Sequence, residues 1–312
     1  MNKKNLVLGG ILVILIIFAY LYQGPIKKWK ANSNKPDNFL TKIDIDQINK
    51  IEIIKNNENK IVLEKNGDRW KIAETKDFYV PKNTAKTMIE NLKKAVESDL
   101  EIVSDNADMK KEFKTDDDNG IKIKIVQDNS DIIEFIIGKL GNNYKSSYIS
   151  EQENQKTYVV NSNLNNVFSK NDWYDKTIFS IDKTKISKVR FQYPDRNFVV
   201  EKSVVEDKDE WNGISPYKFK VDNEKILEVV DSLSNLKAIK IPEQKFEGTG
   251  LEKNLIIIQI TGEGIDNTIM IGDSNGDEEN ELFYAKKSSS DNIYLITKEQ
   301  RNQLNKNIKD FE

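Results

Sequence analysis

Residues 121–138 read IKIKIVQDNSDIIEFIIG, and residues 256–272 read IIIQITGEGIDNTIMIG. In both stretches an apolar segment is followed by a polar turn and by a second apolar segment that ends in glycine, at Gly138 and at Gly272. Apolar residues that alternate with a period of two are typical of a strand with one buried face. Two such strands joined by a short turn pair antiparallel. The two stretches therefore predict one β-hairpin that occurs twice.

The duplication extends from this hairpin to most of the chain. Corresponding positions keep the same order, and the offset between them is nearly constant. The matched positions are 51–53 with 189–191, 61–65 with 198–202, Trp70 with Trp211, 78–80 with 219–221, Tyr148 with Tyr284, and 158–160 with 294–296. We therefore predict two tandem copies of one α+β unit, at residues 46–176 and 184–312, with a linker at 177–183.

Six residues recur as signatures of the repeat, and we expect them to have a packing role. They are Trp70, Gly138, Tyr148, Trp211, Gly272 and Tyr284. A glycine at the end of an apolar strand favours a backbone turn or a close approach. For the two tryptophans, exposure as recognition aromatics is the alternative to core packing.

Each copy is also predicted to contain a helix between its first strands and the hairpin. Apolar residues recur there at helical spacing: Met88, Ile89, Leu92, Ala95 and Val96 in the first copy, and Ile226, Val229, Val230, Leu233 and Leu236 in the second. A polar helix is expected to close each copy, around 164–170 and around 298–308. One helix per antiparallel sheet would cover one face and leave the other face wetter.

Two long connections lie at the same place in both copies, at residues 103–119 and 239–254. Connections of this length are either functional loops or variable surface excursions. The sequence leaves both interpretations open, and the surface excursion is the more common of the two.

The N-terminal segment, residues 1–30, differs from the rest of the chain. Residues 6–22 read LVLGGILVILIIFAYLY, an unbroken run without a charge. At 1.5 Å per residue a helix of this segment would be about 26 Å long, near the lower limit for a bilayer core. We predict an uncleaved membrane anchor within residues 1–30 and a polar tether at 31–45. The anchor positions are Leu6, Ile11, Leu15, Phe18 and Tyr22.

A cleaved signal peptide and a buried core helix are the alternatives for this segment. The apolar run is longer than a signal peptide requires, and no small-x-small cleavage site follows it. Lysines flank the segment on both sides, so the positive-inside rule gives nearly a tie. Because the N-terminal tail is short, we expect a single-pass protein in the cell membrane whose C-terminal domain faces outward.

The charges separate the two parts of the chain. The whole sequence has 48 basic and 51 acidic residues among 312. Positions 1–30 hold five Lys and no acid, so positions 31–312 carry 43 basic and 51 acidic side chains, a net charge of −8. A nucleic-acid-binding domain would show a basic stripe instead. We therefore expect the lipid bilayer, reached by the anchor, to be a partner and nucleic acid not to be one.

The composition closes the usual routes to catalysis, because the chain contains no His and no Cys. A Ser-His-Asp triad, a thiol nucleophile and Cys- or His-ligated metals all require these residues. No phosphate-binding glycine loop occurs either. We predict no catalytic, cofactor-binding or metal-binding residue and no enzyme activity.

One acidic segment resembles the start of a calcium-binding loop. Asp273, Asn275 and Asp277 have the right spacing, but the sixth and twelfth positions are Glu278 and Tyr284 instead of Gly and Glu. A turn between strands is the favoured interpretation. Weak calcium binding, with Asp273, Asp277 and Glu279 as ligands, is the alternative.

The assembled pattern resembles the domain of unknown function 4340 family over residues 46–312. The segments that carry the resemblance are GDRWKI at 67–72, YVP at 79–81, IENL at 89–92, IIGK at 136–139, SYI at 147–149, TYVV at 157–160 and WYDKTIF at 173–179. The resemblance implies an outward-facing, single-span protein that is associated with ABC transporters of the gliding-motility type. It implies no catalytic residues.

These observations predict an α+β fold with one N-terminal transmembrane helix followed by two tandem antiparallel sheet-plus-helix units. The predicted function is that of a non-enzymatic, membrane-anchored extracytoplasmic protein. It would act as an accessory or scaffold of an ABC transport system, with permease or ATPase subunits as partners. The alternative is a cell-envelope module that binds glycan or peptide, which would place exposed aromatics in a cleft.

Overall fold

The computed structural model describes residues 36–55, 60–128, 131–205, 208–276 and 281–312. The chain forms two compact units. Unit 1 comprises the described residues up to Ala73 together with Pro81–Trp173. Unit 2 comprises Glu74–Val80 and Tyr174–Glu312. The short segment Glu74–Val80 therefore comes from the first copy in sequence but belongs to the second unit in space.

Unit 1 contains one eight-stranded antiparallel sheet. Its strands are β1 (Ile48–Lys55), β2 (Ile61–Asn66), β3 (Arg69–Ile72), β4 (Leu100–Ser104), β5 (Ile121–Gln127), β6 (Asp131–Leu140), β7 (Ser147–Glu151) and β8 (Thr157–Val160). They lie in the order β3-β2-β1-β5-β6-β7-β8-β4. The described helices are α1 (Lys82–Glu97), α2 (Lys110–Phe113) and α3 (Leu164–Phe168), with 3₁₀ turns at Phe39–Lys42, Ile45–Gln47 and Ala107–Met109.

Unit 2 contains a second eight-stranded antiparallel sheet. Its strands are β9 (Ile186–Gln192), β10 (Asn197–Val205), β11 (Lys208–Ser215), β12 (Phe219–Lys220), β13 (Ile256–Gly262), β14 (Ile265–Asn275), β15 (Leu282–Lys287) and β16 (Tyr294–Thr297). They lie in the order β12-β11-β10-β9-β13-β14-β15-β16. The described helices are α4 (Asn223–Ser234) and α5 (Lys298–Leu304), with 3₁₀ turns at Lys183–Lys185, Leu251–Lys253 and Ile308–Asp310.

The two sheets share seven strands in the same order and differ at their edges. Strand β3 corresponds to β11, and the equivalence continues across each sheet to β8 and β16. The edge strand β4 of unit 1 pairs with β8. In unit 2 the same place holds only an isolated bridge between Lys240 and Leu295, and β12 is added at the opposite edge. The internal repeat is thus a repeat of strand topology.

One face of each sheet is buried, and we name it the inner face. In unit 1 it carries Ile51, Ile53, Leu63, Ile123 and Ile125, each at most 1% exposed. Every second residue of a strand points to the same side, so this alternation fixes the register of the sheet. The opposite, outer face carries the polar residues of the same strands.

The long helices follow from apolar stripes that face the core. Helix α1 buries Ala85, Met88, Leu92 and Ala95, which lie three or four residues apart and therefore on one face. Helix α4 starts at an Asp222 cap, whose side chain accepts a hydrogen bond from the Glu224 N–H at 2.9 Å. An exposed polar side lets each helix lie at the surface of its own unit.

The predicted α+β fold class is wrong. Two large antiparallel sheets dominate the described chain, and helices are few. The closing helices expected around 164–170 and 298–308 shrink to five and seven residues. The sequence pattern does not predict the short strands β4 and β12, because they add to sheet edges without an alternating apolar pattern. In each unit, more of the described residues therefore lie in strands, and fewer in helices, than the sequence pattern predicts.

The predicted N-terminal transmembrane helix is not seen. Its positions Leu6, Ile11, Leu15, Phe18 and Tyr22 lie outside the described residues. Within the ranges that the structure describes, no helix is both long enough and apolar enough to cross a membrane. The longest of these helices, α1, has 16 residues and is amphipathic rather than apolar on all sides.

Candidate functional site

Both long connections fold back onto the outer face of their own sheet. In unit 1, the ring of Phe113 packs against Tyr148 with 4.6 Å between centroids. The Thr115 hydroxyl lies 3.0 Å from that of Thr157, and Thr115 is fully buried. In unit 2, Thr249 and Leu251 are buried, and the Thr249 carbonyl accepts a hydrogen bond from the Asp273 N–H at 2.8 Å. These connections are packed layers over one end of each outer face.

Gly138 and Gly272 explain how the backbone can come so close. A Cβ at Gly138 would lie 2.2 Å from the Phe113 carbonyl oxygen. A Cβ at Gly272 would lie 2.2 Å from the Thr249 carbonyl oxygen. In both cases the obstacle is backbone that cannot rotate away, so only glycine fits. The sequence signature of the repeat thus marks the place where the connection covers the sheet.

We expect Gly272→Ala to lower the free energy of unfolding by about 1 to 2 kcal/mol, as in overpacked cores. The added methyl group would push residues 249–251 away from the sheet and expose them to protease. Urea denaturation and limited proteolysis measure the two effects. Ser274→Ala, at an exposed position two residues further along β14, is the matched control. Equal stability and equal cleavage of Gly272→Ala and the control would contradict this packing argument.

The part of the outer face of unit 2 that the connection leaves open forms a groove. Its volume is about 330 Å³, near the lower end of the range for small-ligand sites. The lining residues come from β9, β10, β11 and β13: Lys188, Arg190, Asn197, Val199, Ile214, Ser215, Gln259 and Thr261. No aromatic and no acidic residue is among these described lining residues. We call this the outer groove.

Arg190 lies in the middle of the outer groove. It sits on β9, between Val199 of β10 and Gln259 of β13. It is exposed, and it makes no hydrogen bond or ion pair with any part of the chain that the structure describes. The neighbouring cation is compensated, because the Lys188 ammonium lies 2.8 Å from a Glu201 carboxylate oxygen. The Gln259 amide donates to Asp266 at 2.8 Å. Arg190 is therefore the cationic lining residue that has no partner among the described residues and can pair with a ligand.

The equivalent position in unit 1 carries the opposite charge. Glu52 of β1 lies between Val62 of β2 and Lys124 of β5, as Arg190 lies between Val199 and Gln259. The Glu52 carboxylate is 3.3 Å from the Lys60 ammonium and 3.8 Å from that of Lys50.

Lys124, beside Glu52, is paired as well. Its ammonium lies 2.9 Å from Glu134, and this hydrogen bond raises the pKa of Lys124. The corresponding face of unit 1 is therefore internally neutralised, and the duplicated sheets have diverged in charge at one central position.

The residues predicted from the sequence do not form one site. Trp70, Tyr148 and Trp211 are buried at 5, 8 and 4% exposure. Tyr284 is half-buried, and its hydroxyl accepts a hydrogen bond from the Asn275 amide. Asp273 pairs with Lys253, and this contact raises the pKa of the Lys253 ammonium. Asp277 and Glu279, the other acids of the calcium alternative, lie outside the described residues.

The lining of the outer groove offers groups that can hold an anion. A guanidinium presents a planar fork of N–H donors that matches a carboxylate or a phosphate. Amide and hydroxyl groups of Asn197, Ser215 and Thr261 surround it. In the described parts of the chain, no group of three or more acidic side chains could hold a metal ion. The groove can thus orient an anionic group beside the apolar surface of Ile214 and Val199.

No residue of this groove is predicted as a site residue from the sequence. The signal was nevertheless present in the repeat alignment, which pairs Ile51-Glu52-Ile53 with Val189-Arg190-Phe191. A charge reversal between otherwise equivalent strands is visible there. What the alignment does not show is the pairing of Lys124 with Glu134, which decides that one face is neutralised and the other is not.

One comparison with known proteins identifies a family for this chain. The family described as Domain of unknown function (DUF4340) matches residues 70–241 and residues 211–312. The two matches begin at Trp70 and Trp211, the paired tryptophans of the repeat. Neither the curated proteins nor the solved structures gave a match. Since the family covers well over half of the chain, the resemblance inferred from the sequence is confirmed, and this chain belongs to the DUF4340 family.

Proposed function

We propose that this protein is a non-enzymatic, membrane-anchored binding component on the outside of the cell membrane, and that it acts as an accessory of an ABC transport system. The observation that carries the binding role is the outer groove with its unpaired Arg190. The family resemblance supplies the transport context. The two sheets would present their outer faces to a partner.

A scaffold role fits the build of the two units. Both sheets have a packed inner face, and the part of the outer face of unit 2 that its long connection leaves open is available for contacts. At one equivalent position Glu52 is paired on unit 1, whereas Arg190 has no described partner on unit 2, and this gives the two copies different surfaces. A duplicated scaffold can then hold one copy for structure and use the other for recognition.

The alternative is a cell-envelope module that binds glycan or peptide, and the lining of the outer groove distinguishes these two ligands. Glycan sites stack sugar rings on aromatic side chains, and none of the described lining residues is aromatic. An extended peptide needs hydrogen-bonding groups and apolar patches along a strand, and the groove offers both. Only the peptide form of the alternative is therefore supported by a specific observation.

We expect the full-length protein, captured from membranes in a mild detergent, to bring down the permease and ATPase subunits of one ABC transporter. Mass spectrometry of the eluate identifies these subunits. An unrelated single-span membrane protein with the same affinity tag is the control. Recovery of the protein without any transporter subunit, under conditions in which known transporter complexes stay intact, would contradict the proposal.

A further inference from the structure

We propose that the outer groove of unit 2 binds a carboxylate side chain on an extended, acidic segment of a protein partner, and that Arg190 is the residue that recognises it. This deepens the proposed function, since it names the chemistry of the partner that such an accessory protein would hold. Three properties of the molecule support it: the charge of the groove, its apolar surface and the difference between the two sheets.

The charge of the groove is opposite to that of the domain around it. Residues 31–312 carry a net charge of −8, yet the lining holds Lys188 and Arg190 and no acid among its described members. Lys188 is neutralised by Glu201 at 2.8 Å. One guanidinium therefore stands alone in an acidic surrounding, and an acidic group that fits the groove would gain a partner without displacing an existing ion pair.

The apolar part of the groove indicates what carries the carboxylate. Ile214 is 42% exposed at the register shift between β10 and β11. Val199 lies beside Arg190 on the same face and is half-buried. An acidic segment with aliphatic neighbours could cover Ile214 and Val199 while its carboxylate reaches Arg190. A free inorganic anion would leave this apolar surface uncovered.

The membrane surface is a poorer occupant for the same groove. Anionic lipid attracts clusters of several Lys and Arg residues, whereas this groove offers one uncompensated cation in a domain that is acidic overall. The long-range charge of the domain repels an anionic bilayer. A single carboxylate on a flexible protein segment meets the local charge without bringing a charged plane close.

Unit 1 provides an internal comparison. At the same sheet position it carries Glu52, whose carboxylate is already held by Lys50 and Lys60. A partner carboxylate has nothing to pair with there. Replacing Arg190 by Glu gives unit 2 the residue that unit 1 has, so the variant Arg190→Glu tests the proposal with a residue that this sheet topology already accommodates.

The experiment measures binding of short synthetic peptides to the full-length protein in detergent by fluorescence anisotropy. One peptide alternates Glu with Val, and its partner alternates Gln with Val. We expect the Glu peptide to bind with an affinity that falls with added salt, and the Gln peptide to bind much more weakly. Arg190→Glu should weaken binding of the Glu peptide by about tenfold or more, because it replaces a charge-assisted hydrogen bond by repulsion.

Three controls separate the possible causes. Lys309→Glu makes the same change of charge at an exposed position outside the groove and should leave binding unchanged. Asn197→Glu adds a negative charge to the lining on a different strand and should weaken binding too, so the test does not depend on one variant. Inorganic phosphate and phosphatidylglycerol vesicles replace the peptide in the remaining arms.

The binding measurements can contradict the proposed role of Arg190 in several ways. Equal binding of the Glu peptide by the wild type and by Arg190→Glu would overturn it, as would equal binding of the Glu and Gln peptides or no binding of either. Binding of phosphate or vesicles in preference to the peptide, and dependent on Arg190, would show that the occupant is not a protein. If Arg190→Glu loses the peptide but still captures transporter subunits, the transport role stands and the groove serves another partner.

Discussion

Phe78→Ala is expected to lower the free energy of unfolding of unit 2 by about 3 to 5 kcal/mol, the range for large aromatic residues removed from a core. Phe78 comes from the first copy in sequence, but it belongs to unit 2. It is 1% exposed. A chemical denaturation curve of the wild type and the variant measures the loss.

The size of this effect follows from the contacts of the segment Glu74–Val80 within unit 2. The Phe78 ring packs edge-to-face on Tyr174, with 5.2 Å between centroids, and on Tyr294, with 5.8 Å. Such pairs add to the burial of apolar area. The neighbouring Asp77 exchanges two hydrogen bonds with the Asn292 side chain, at 2.9 and 3.3 Å. The truncation therefore leaves a cavity among aromatic rings at a place that the backbone holds fixed.

Lys76→Ala is the matched control, because Lys76 is exposed in the same segment and surface changes of this kind stay within about 0.5 kcal/mol. Equal stability of both variants would mean that the segment Glu74–Val80 does not contribute to the core of unit 2. The same contacts predict that a fragment cut at residue 174 lacks part of its own core. A peptide of residues 74–80 added to that fragment should then raise its stability.

The sequence predicts the central strands and the long helix of each repeat. It does not predict the edge strand β4 or the place of the segment Glu74–Val80 in unit 2. The segments 121–125 and 256–260, with their alternating isoleucines, are found in β5 and β13. The helical spacing around Met88 and Val229 is found in α1 and α4. In each case an apolar face supplies a period that can be counted.

The features that the sequence missed lack such a period. The edge strand β4 is exposed at three of its five positions, so its pairing with β8 rests on backbone hydrogen bonds rather than on an apolar face. The sequence also gives no sign that Glu74–Val80 belongs to unit 2. Phe78 matches Phe219 in the alignment, and each is predicted to begin a helical stretch. Contacts between distant segments decide both features, and no local pattern records them.

The candidate site, too, can be predicted from the sequence only in part. The alignment reveals that Glu52 and Arg190 are equivalent, yet charge alone does not distinguish a paired residue from a free one. The structure supplies the missing fact, because it places Lys60 within 3.3 Å of Glu52 and leaves Arg190 without a described partner. In a duplicated protein, the position where one copy is neutralised and the other is not is the place to look for divergence of function.

The stability of unit 2 should fall steeply at alkaline pH because of Tyr193. Its hydroxyl donates a hydrogen bond to the Leu304 carbonyl at 2.7 Å and accepts one from the Lys306 N–H at 2.8 Å. The Arg196 guanidinium lies over its ring, 3.7 Å from the centroid. This cluster, which we call the tyrosine cluster, ties the turn after β9 to the C-terminal residues. Burial raises the pKa of Tyr193 to about 12.

The free energy of unfolding falls with rising pH because the pKa of Tyr193 is higher in the folded state than in the unfolded chain. Below pH 10, the ordinary pKa of an unfolded tyrosine, both states keep the proton and the contribution of Tyr193 is fully present. As pH rises from 10 to 12, the unfolded chain releases the proton first, so unfolding becomes easier. The loss is about 1.4 kcal/mol at pH 11 and approaches about 2.7 kcal/mol above pH 12.

Comparison with Tyr193→Phe isolates this residue from the other groups that titrate in the same range. Near pH 8 the variant should be less stable than the wild type by about 1 to 3 kcal/mol, because the Leu304 carbonyl and the Lys306 N–H lose their partner. The difference should shrink between pH 10 and pH 12, since the variant has no proton to lose there. Urea denaturation at a series of pH values measures it.

Tyr217→Phe, at a side chain that is 59% exposed, is the matched control. It should differ little from the wild type at any pH in the series. A difference between Tyr193→Phe and the wild type that stays constant from pH 8 to pH 12 would show that the Tyr193 hydroxyl is not held neutral by burial. The hydrogen bonds of the hydroxyl with the Leu304 carbonyl and the Lys306 N–H would then account for the constant difference, with no contribution from a raised pKa.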